Sequence, residues 1–384
     1  MQKRIPAVIM RGGTSKGLFF HENHLPSDPI RRDRIILAAY GSPDPHRRQI
    51  DGLGGAVSTT SKVAIISRCE AADYDVVFNF GQVAIDRPLV DYRGNCGNIS
   101  SAVGPFAIDE GLVKAVEPIT RVRIHQKNTD KLIVAEVPVR NGRFEEEGDY
   151  GIDGVPGTHS RILLRFADPG GSVTGRLLPT GQPQDRMEVP GAGAVAFSFI
   201  DAANPVVLVR AADIGLDGTE IEQIDASEHI MATLEFIRCR AAVMTGMARD
   251  EQEATRSSQA VPKIGIIAEP KAYQSIGGRP IEPEAIDLTA RIMSMGSLHR
   301  SFAVSGAIAT AGAAMIPGTI VAEMIAPQAR SRDLLRIGHP GGIIEVGAVI
   351  ETEGHRYHYR EAVVGRTARR LMEGYVLLPD RLFG

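Results

Sequence analysis

Two stretches of this chain read as helices without a polar face. Cys96-Gly97-Asn98-Ile99-Ser100-Ser101-Ala102 opens the run "CGNISSAVGPFAI", and Ser305-Gly306-Ala307-Ile308-Ala309-Thr310-Ala311 opens "SGAIATAGAAMI". Nearly every side of each is small or apolar, and a helix that is apolar all round has to be buried. Each must therefore be enclosed, which predicts two cores, each with strands wrapped around one helix. Laid over one another, the two stretches share Gly, Ile and Ala at the second, fourth and seventh places. That is a faint trace of duplication.

The rest of the chain supplies the wrapping. Short apolar segments recur between Gly, Pro, Asn and Asp, and they predict strands at 7–10, 63–66, 74–80, 121–127, 131–139, 160–166, 194–200, 205–211, 263–269 and 355–361. Asn128-Thr129-Asp130 predicts a hairpin turn. Helical spacing of Ile221, Ile224, Ile230, Leu234 and Ile237 predicts a helix within 218–246, and "EAIDLTARIMSMG" predicts another at 284–296. The result is an α+β chain without the strict alternation of a doubly wound sheet. The segment 168–190 is dense in Gly, Pro and Asp and predicts a boundary near residue 185. The expected domains are 1–185, with the tail 372–384 packed on it, and 186–371.

Composition narrows the function. With 384 residues and 43% hydrophobic content the chain can bury large cores. A net charge of −3 suggests neither nucleic acid nor an acidic membrane surface as partner. No segment reaches the roughly 20 apolar residues of a membrane helix, and the basic N-terminus is too short for a signal peptide. Cys69, Cys96 and Cys239 make no disulfide framework, so a reducing cytoplasm is expected. Nothing specifies an oligomeric state; a homodimer is the commonest soluble arrangement.

Three places carry candidate chemistry. Cys96 lies between Gly94-Asn95 and Gly97-Asn98 at a helix start, where unpaired N–H groups and the dipole attract carboxylates and activate a thiol. The alternative is a buried filler, which is also the reading of Cys69 and Cys239. In "DGLGGAVSTTSKVAIIS", Lys62 follows a Gly-rich, hydroxyl-rich loop and precedes an apolar strand. It is either a solvated strand end or a desolvated amine that can take a proton. The turn "RGGTSKG" lacks the Walker order but offers Ser15, Thr14 and backbone N–H groups to a carboxylate. "GAGAVA" precedes a strand instead of opening a helix, so it is not a dinucleotide loop. No G-x-S-x-G elbow is present. His21 and His24 sit in a turn-rich loop, and His355 and His358 differ in parity along a strand. No metal site is expected, although His299 and His339, beside Gly and Pro turns, remain of interest.

The motifs "MRGGTSKG", "DGLGGAVSTTSKVAI", "GNCGNISSAVGPFAI", "DGVPGTHSRILLRFADPGGSVTGRLLPTG", "MGSLHRSFAVSGAIATAGAAMIPGT" and "IGHPGG" together resemble the PrpF family of cofactor-independent isomerases, nearly end to end. The resemblance implies a diaminopimelate epimerase-like fold. Such a fold has two similar domains, each a curled sheet around a central helix, with the active site in the cleft between them. Epimerases of this fold carry a cysteine at both helix starts. Here the second position is Ser305, which disfavours a two-thiol racemase. The family pattern places a lysine and one cysteine at Lys62 and Cys96.

The activity implied is a 1,3-proton shift across a carbon–carbon double bond of a small unsaturated di- or tricarboxylate, with no cofactor. Family members act on 3-methylitaconate, 2-methylaconitate or 4-oxalomesaconate. Lys62 is the expected principal proton carrier, with Cys96 at the second proton or orienting the allylic system. Substrate carboxylates are expected at Ser15, Ser61, Gly97 and Asn98, and at Ser305, Gly306 and His299, with Arg11 and Lys263 adding positive charge. The rival readings are an epimerase of the same fold and a polycarboxylate-binding protein without catalysis.

Overall fold

The computed structural model describes residues 2–354 and 356–383; His355 lies outside them. The chain forms two compact units, Met1–Leu164 with Gly365–Gly384, and Arg165–Val364. The first holds β1 (Gln2–Gly12), β2 (Ser15–His21), α1 (Pro29–Tyr40), β3 (Lys62–Arg68), β4 (Val76–Val83), β5 (Val90–Asp91), α2 (Gly97–Asp109), β6 (Ile119–Gln126), β7 (Lys131–Arg140), β8 (Arg143–Phe144) and β9 (Ile162–Ala167). The second holds β10 (Asp185–Val189), β11 (Gly193–Ala202), β12 (Asn204–Arg210), α3 (Glu222–Ala226), α4 (Glu228–Met244), α5 (Glu251–Ser257) and β13 (Lys263–Ala268). It continues with β14 (Tyr273–Gln274), β15 (Pro280–Ile281), β16 (Leu288–Ser294), β17 (Ser297–Leu298), α6 (Val304–Met315), α7 (Ile320–Met324), α8 (Pro327–Arg330), β18 (Leu335–His339), β19 (Gly342–Glu353) and β20 (Arg356–Arg366). The last strand, β21 (Ala368–Pro379), returns to the first unit beside β1.

The duplication is plain in the strand pairings. In the first unit a β1–β2 hairpin crosses over through α1 to β3, which runs parallel to β2. β4 then runs antiparallel to β3 and pairs with the short β5; α2 follows, then β6 parallel to β4 and β7 antiparallel to β6. The second unit repeats every step: the β11–β12 hairpin, α4 in the crossover to β13, β16, the short β17, α6, β18 and β19. Each outer helix packs on its own sheet. Ile35, Ile36 and Tyr40 of α1 join Leu18, Phe20, Val63 and Ile65. Leu234 and Ile237 of α4 join Phe197, Phe199, Val207 and Ile264.

The central helices are enclosed as their composition demands. Every residue of α2 from Gly97 to Ile108 is buried, as is every residue of α6 from Val304 to Ala314. β1, β2, β3, β6, β7, β8 and β21 contact α2; β11, β12 and β19 contact α6.

Four expectations change. The segment 284–296 is not a helix: Leu288–Ser294 is a strand buried at every position, between β13 and β18. An apolar run this short fits a core strand as well as a helix, and pairing on both edges decided it. The helix expected within 218–246 is broken at Ser227, whose hydroxyl caps α4 through Ile230 N at 3.3 Å. The Gly- and Pro-dense segment 168–190 is no linker. Asp201 of β11 gathers it through Val173 N at 2.9 Å, Thr174 N at 2.6 Å, Thr174 Oγ1 at 2.8 Å and the Ser172 hydroxyl. The units therefore divide inside β9 and β20 rather than near 185 and 371. His21 ends β2 instead of lying in a loop, and its Nε2 meets Glu110 Oε2 at 2.9 Å.

Gly104 tests the enclosure of α2. A Cβ there would stand 2.7 Å from Val137 Cγ2 and 3.3 Å from Ala135 Cβ of β7. Alanine gains about 1 kcal/mol over glycine inside a helix, but overpacking costs about 1–3 kcal/mol. Gly104→Ala is expected to lower the midpoint of chemical denaturation; a midpoint at or above wild type would show that β7 yields freely.

Candidate functional site

Lys62 opens β3, level with Gly17 of β2 and Gln82 of β4. Gly17 has to be glycine, since a Cβ would lie 2.1 Å from the Lys62 carbonyl oxygen. The Lys62 side chain is buried, at 6% exposure, so it is not a solvated strand end. Its Nζ donates to Gln82 Oε1 at 2.7 Å and stands 5.3 Å from the centre of the Phe80 ring. Gln82 Nε2 donates to Ser58 O at 3.1 Å and Ser61 O at 2.9 Å. Those two carbonyls fix which end of the amide faces the lysine. Among the described residues no carboxylate pairs with Lys62. From below, the Tyr40 hydroxyl donates to the Lys62 carbonyl and accepts from Leu18 N at 2.9 Å. Burial pushes that hydroxyl well above the usual tyrosine range, so it stays a proton donor.

The loop before Lys62 is ordered by two residues that sequence reasoning missed. Gln49, buried and with a positive φ of 48°, donates to Ser42 Oγ at 3.0 Å and Ser61 Oγ at 2.8 Å and accepts from Ala56 N at 2.8 Å. Asp44 accepts from the backbone N–H groups of His46, Arg48 and Gln49, which holds its carboxyl below the usual range. Gln82 was missed as well. Its signal exists only across strands, in the register that sets it beside Lys62.

Cys96 is the N-cap of α2, with extended backbone, and its own side chain makes no capping hydrogen bond. The N–H groups of Gly97, Asn98 and Ile99 have no acceptor inside the helix, the first ladder bond being Ser100 N to Cys96 O at 2.9 Å. The thiol is buried beside these donors and the positive end of the dipole. The β1–β2 turn presses against the same helix start. Asn98 Oδ1 accepts from Thr14 N at 3.3 Å. A Cβ on Gly12 would meet Asn98 O at 2.5 Å, and one on Gly13 would meet Asn98 Oδ1 at 2.2 Å. Just past the turn, the Ser15 hydroxyl is buried without a partner. Arg11 holds the turn by donating from Nη1 to Gly13 O, Thr367 O and Thr367 Oγ1, while its Nη2 is buried without a partner. Burial pulls the Arg11 guanidinium below its ordinary pKa.

Contacts thus run from Lys62 through Gly17 and the Gly13-Thr14 turn to Asn98 at the start of α2. Ser15, Ser61, Lys62, Cys96, Gly97, Asn98 and Arg11 all belong to this first unit. A buried amine, a thiol and several unspent donors meet an interior without a neutralising carboxylate at Lys62. That combination suits a small anionic ligand that exchanges a proton.

The remaining candidates belong to the second unit. Ser305 is the second residue of α6, and its Oγ accepts from Asn204 Nδ2 at 2.9 Å. Asn204 begins β12 as Ser15 begins β2. Gly306 lets Ile292 approach, since a Cβ would lie 2.3 Å from Ile292 Cδ1. Lys263 opens β13 as Lys62 opens β3, is buried, and donates to Ala260 O at 3.2 Å. His299 is buried and accepts at Nδ1 from Ser301 N at 3.2 Å, which assigns the ring proton to Nε2. His339 is buried likewise, accepting from Gly341 N at 3.0 Å. Among the described residues no group of three His, Cys, Asp or Glu could hold a metal ion, and no helix is long and apolar enough to cross a membrane.

The chain is 47% identical over 377 residues to a protein named 3-methylitaconate isomerase from Eubacterium barkeri, an alignment covering 98% of this chain and 97% of that one. A crystal structure of methylitaconate-delta-isomerase superposes with a TM-score of 0.79 at 45% identity, covering 100% of this chain and 97% of the other. A probable proline racemase from Agrobacterium radiobacter K84 shares the fold, with a TM-score of 0.56 at 15% identity over 98% of this chain and 93% of its own. The architecture is therefore that of the racemase and epimerase fold. Residues 2–379 match the family model described as PrpF protein, and the chain belongs to that family.

Proposed function

We propose that this isomerase moves a proton between the two ends of an allylic unit in a small unsaturated di- or tricarboxylate, using Lys62 and Cys96. The carrying observation is the setting of Lys62, buried, bonded to a neutral amide and free of any carboxylate partner among the described residues. An amine in such a place exchanges a proton with substrate without first breaking an ion pair. Lys62 removes the proton from the allylic carbon, and the electron pair spreads through the double bond into the conjugated carboxylate as a dienolate. A proton returned to the far carbon completes the shift, with Cys96 delivering it or orienting the allylic system. No atom is gained or lost.

Developing negative charge would fall near the open N–H groups of Gly97, Asn98 and Ile99, where a helix dipole favours it. The unpartnered Ser15 hydroxyl and Arg11 Nη2 supply donors for a carboxylate. The relative named 3-methylitaconate isomerase supports 3-methylitaconate as the first substrate to try.

Proton NMR of the purified protein in D₂O with 3-methylitaconate, 2-methylaconitate and 4-oxalomesaconate tests the reading. Deuterium should enter one of them as its double bond migrates. Lys62→Ala should lower kcat by about 10²–10⁴, the usual worth of a positioned acid or base, and Cys96→Ala should lower it as well. Wild-type turnover in Lys62→Ala would sink the assignment. Gln82→Leu is expected to reduce kcat roughly tenfold, about 1.4 kcal/mol, with little change in KM, because Gln82 touches the lysine. A change confined to KM would place Gln82 against the substrate instead.

A further inference from the structure

Three arginines in this protein are buried to within a few per cent: Arg238, Arg291 and Arg366. Two are fully engaged. Arg238 pairs with Glu235 and donates to Ser258 O and Ala254 O. Arg291 donates to Glu220 O, Thr219 O and Ala290 O and lies under the Tyr273 ring. Arg366 is different. It is 5% exposed, its Nε is buried without a partner, and its guanidinium makes no hydrogen bond or ion pair among the described residues. Tyr150 and Asp153 favour its charge electrostatically. Burial pulls the guanidinium down to about 10, so it remains a cation at neutral pH. A buried cation without a partner is costly, and receiving an anion would offset that cost.

The surroundings fit that use. Next to Arg366, Gly365 lets Tyr150 and Arg161 approach the backbone closely. A Cβ there would stand 2.4 Å from the Tyr150 hydroxyl and 3.1 Å from Arg161 Nε. Arg161 stacks on the Tyr150 ring at 5.3 Å, and among the described residues neither its guanidinium nor the Tyr150 hydroxyl is hydrogen-bonded. Three donors from separate segments therefore gather at residues 365–366 with their hydrogen-bonding capacity unspent. A planar guanidinium with a hydroxyl beside it suits an oxyanion of the carboxylate or phosphate class.

We propose that Arg366, Tyr150 and Arg161 form an oxyanion-binding site beside Gly365. The site does not depend on the allylic chemistry proposed above. Its occupant is either a carboxylate of the substrate or a separate small oxyanion, and the two sources share the recognition chemistry.

Thermal melting of the full chain tests this in sodium phosphate and in sodium succinate against sodium chloride of equal ionic strength. The wild-type midpoint should rise and level off with phosphate or succinate beyond anything chloride gives. Arg366→Met should abolish that rise while melting in chloride at or above the wild-type midpoint, because it removes an unpaired buried charge. Arg366→Lys and Tyr150→Phe should need at least tenfold more anion for half the effect. The proposal is overturned by a wild type that responds alike to phosphate and chloride, by an Arg366→Met protein that still responds, or by one that melts far below wild type or fails to fold in chloride. The last would mean that the arginine has its partner inside the fold. Kinetics then separate the sources. Phosphate that raises the wild-type KM as it raises the midpoint identifies a substrate carboxylate as the occupant; phosphate that raises the midpoint alone identifies a separate anion. Melting needs no turnover, so this site and the allylic reading can fail independently.

Discussion

The burial of α2 governs the first unit. A helix without a polar face cannot rest on a surface, so strands must close around it. Enclosure on this scale requires very near approach, which glycine permits at chosen points. Gly104 admits β7, and Gly12 and Gly13 admit the β1–β2 turn against Asn98. The second unit solves the same problem with α6, where Gly306 admits Ile292 and Gly312 admits the Tyr359 ring.

Enclosure has a chemical consequence. The N-terminus of a buried helix still carries N–H groups without intrahelical acceptors, and here they lie in an interior from which water is largely excluded. At α2 the N-cap side chain, Cys96, does not cap them. The crossover connection then puts the first residue of β3 beside β2, close to the turn that leans on this helix start. A lysine at that position is buried by topology. Its burial is eased by one hydrogen bond to Gln82, which is itself held by two backbone carbonyls.

The interior treats its cations in two ways. Arg238 and Arg291 are saturated by carbonyls or a carboxylate and serve as struts. Lys62 has one neutral partner, Arg11 keeps its Nη2 unspent, and Arg366 has none engaged. Buried donors left open are costly. They are concentrated in the first unit, around α2 and around the junction of β20 with β21.

Much of this was legible beforehand. The small and apolar runs at 96–108 and 305–316, with their shared Gly, Ile and Ala, pointed to two enclosed helices, and the motifs around Lys62 and Cys96 pointed to the family. These are local signals: composition, spacing and short glycine patterns. Tertiary structure alone decided that 284–296 is a strand, because pairing with β13 and β18 outweighs an ambiguous period. It alone drew the unit boundaries inside β9 and β20, because Asp201 folds the Gly- and Pro-rich segment onto β11. Gln82, Gln49 and Arg366 carry no local mark, since what defines each is a neighbour far away in sequence or the lack of one. A sequence records which residues must be buried; only the folded chain decides which of them are left with a hydrogen bond to give.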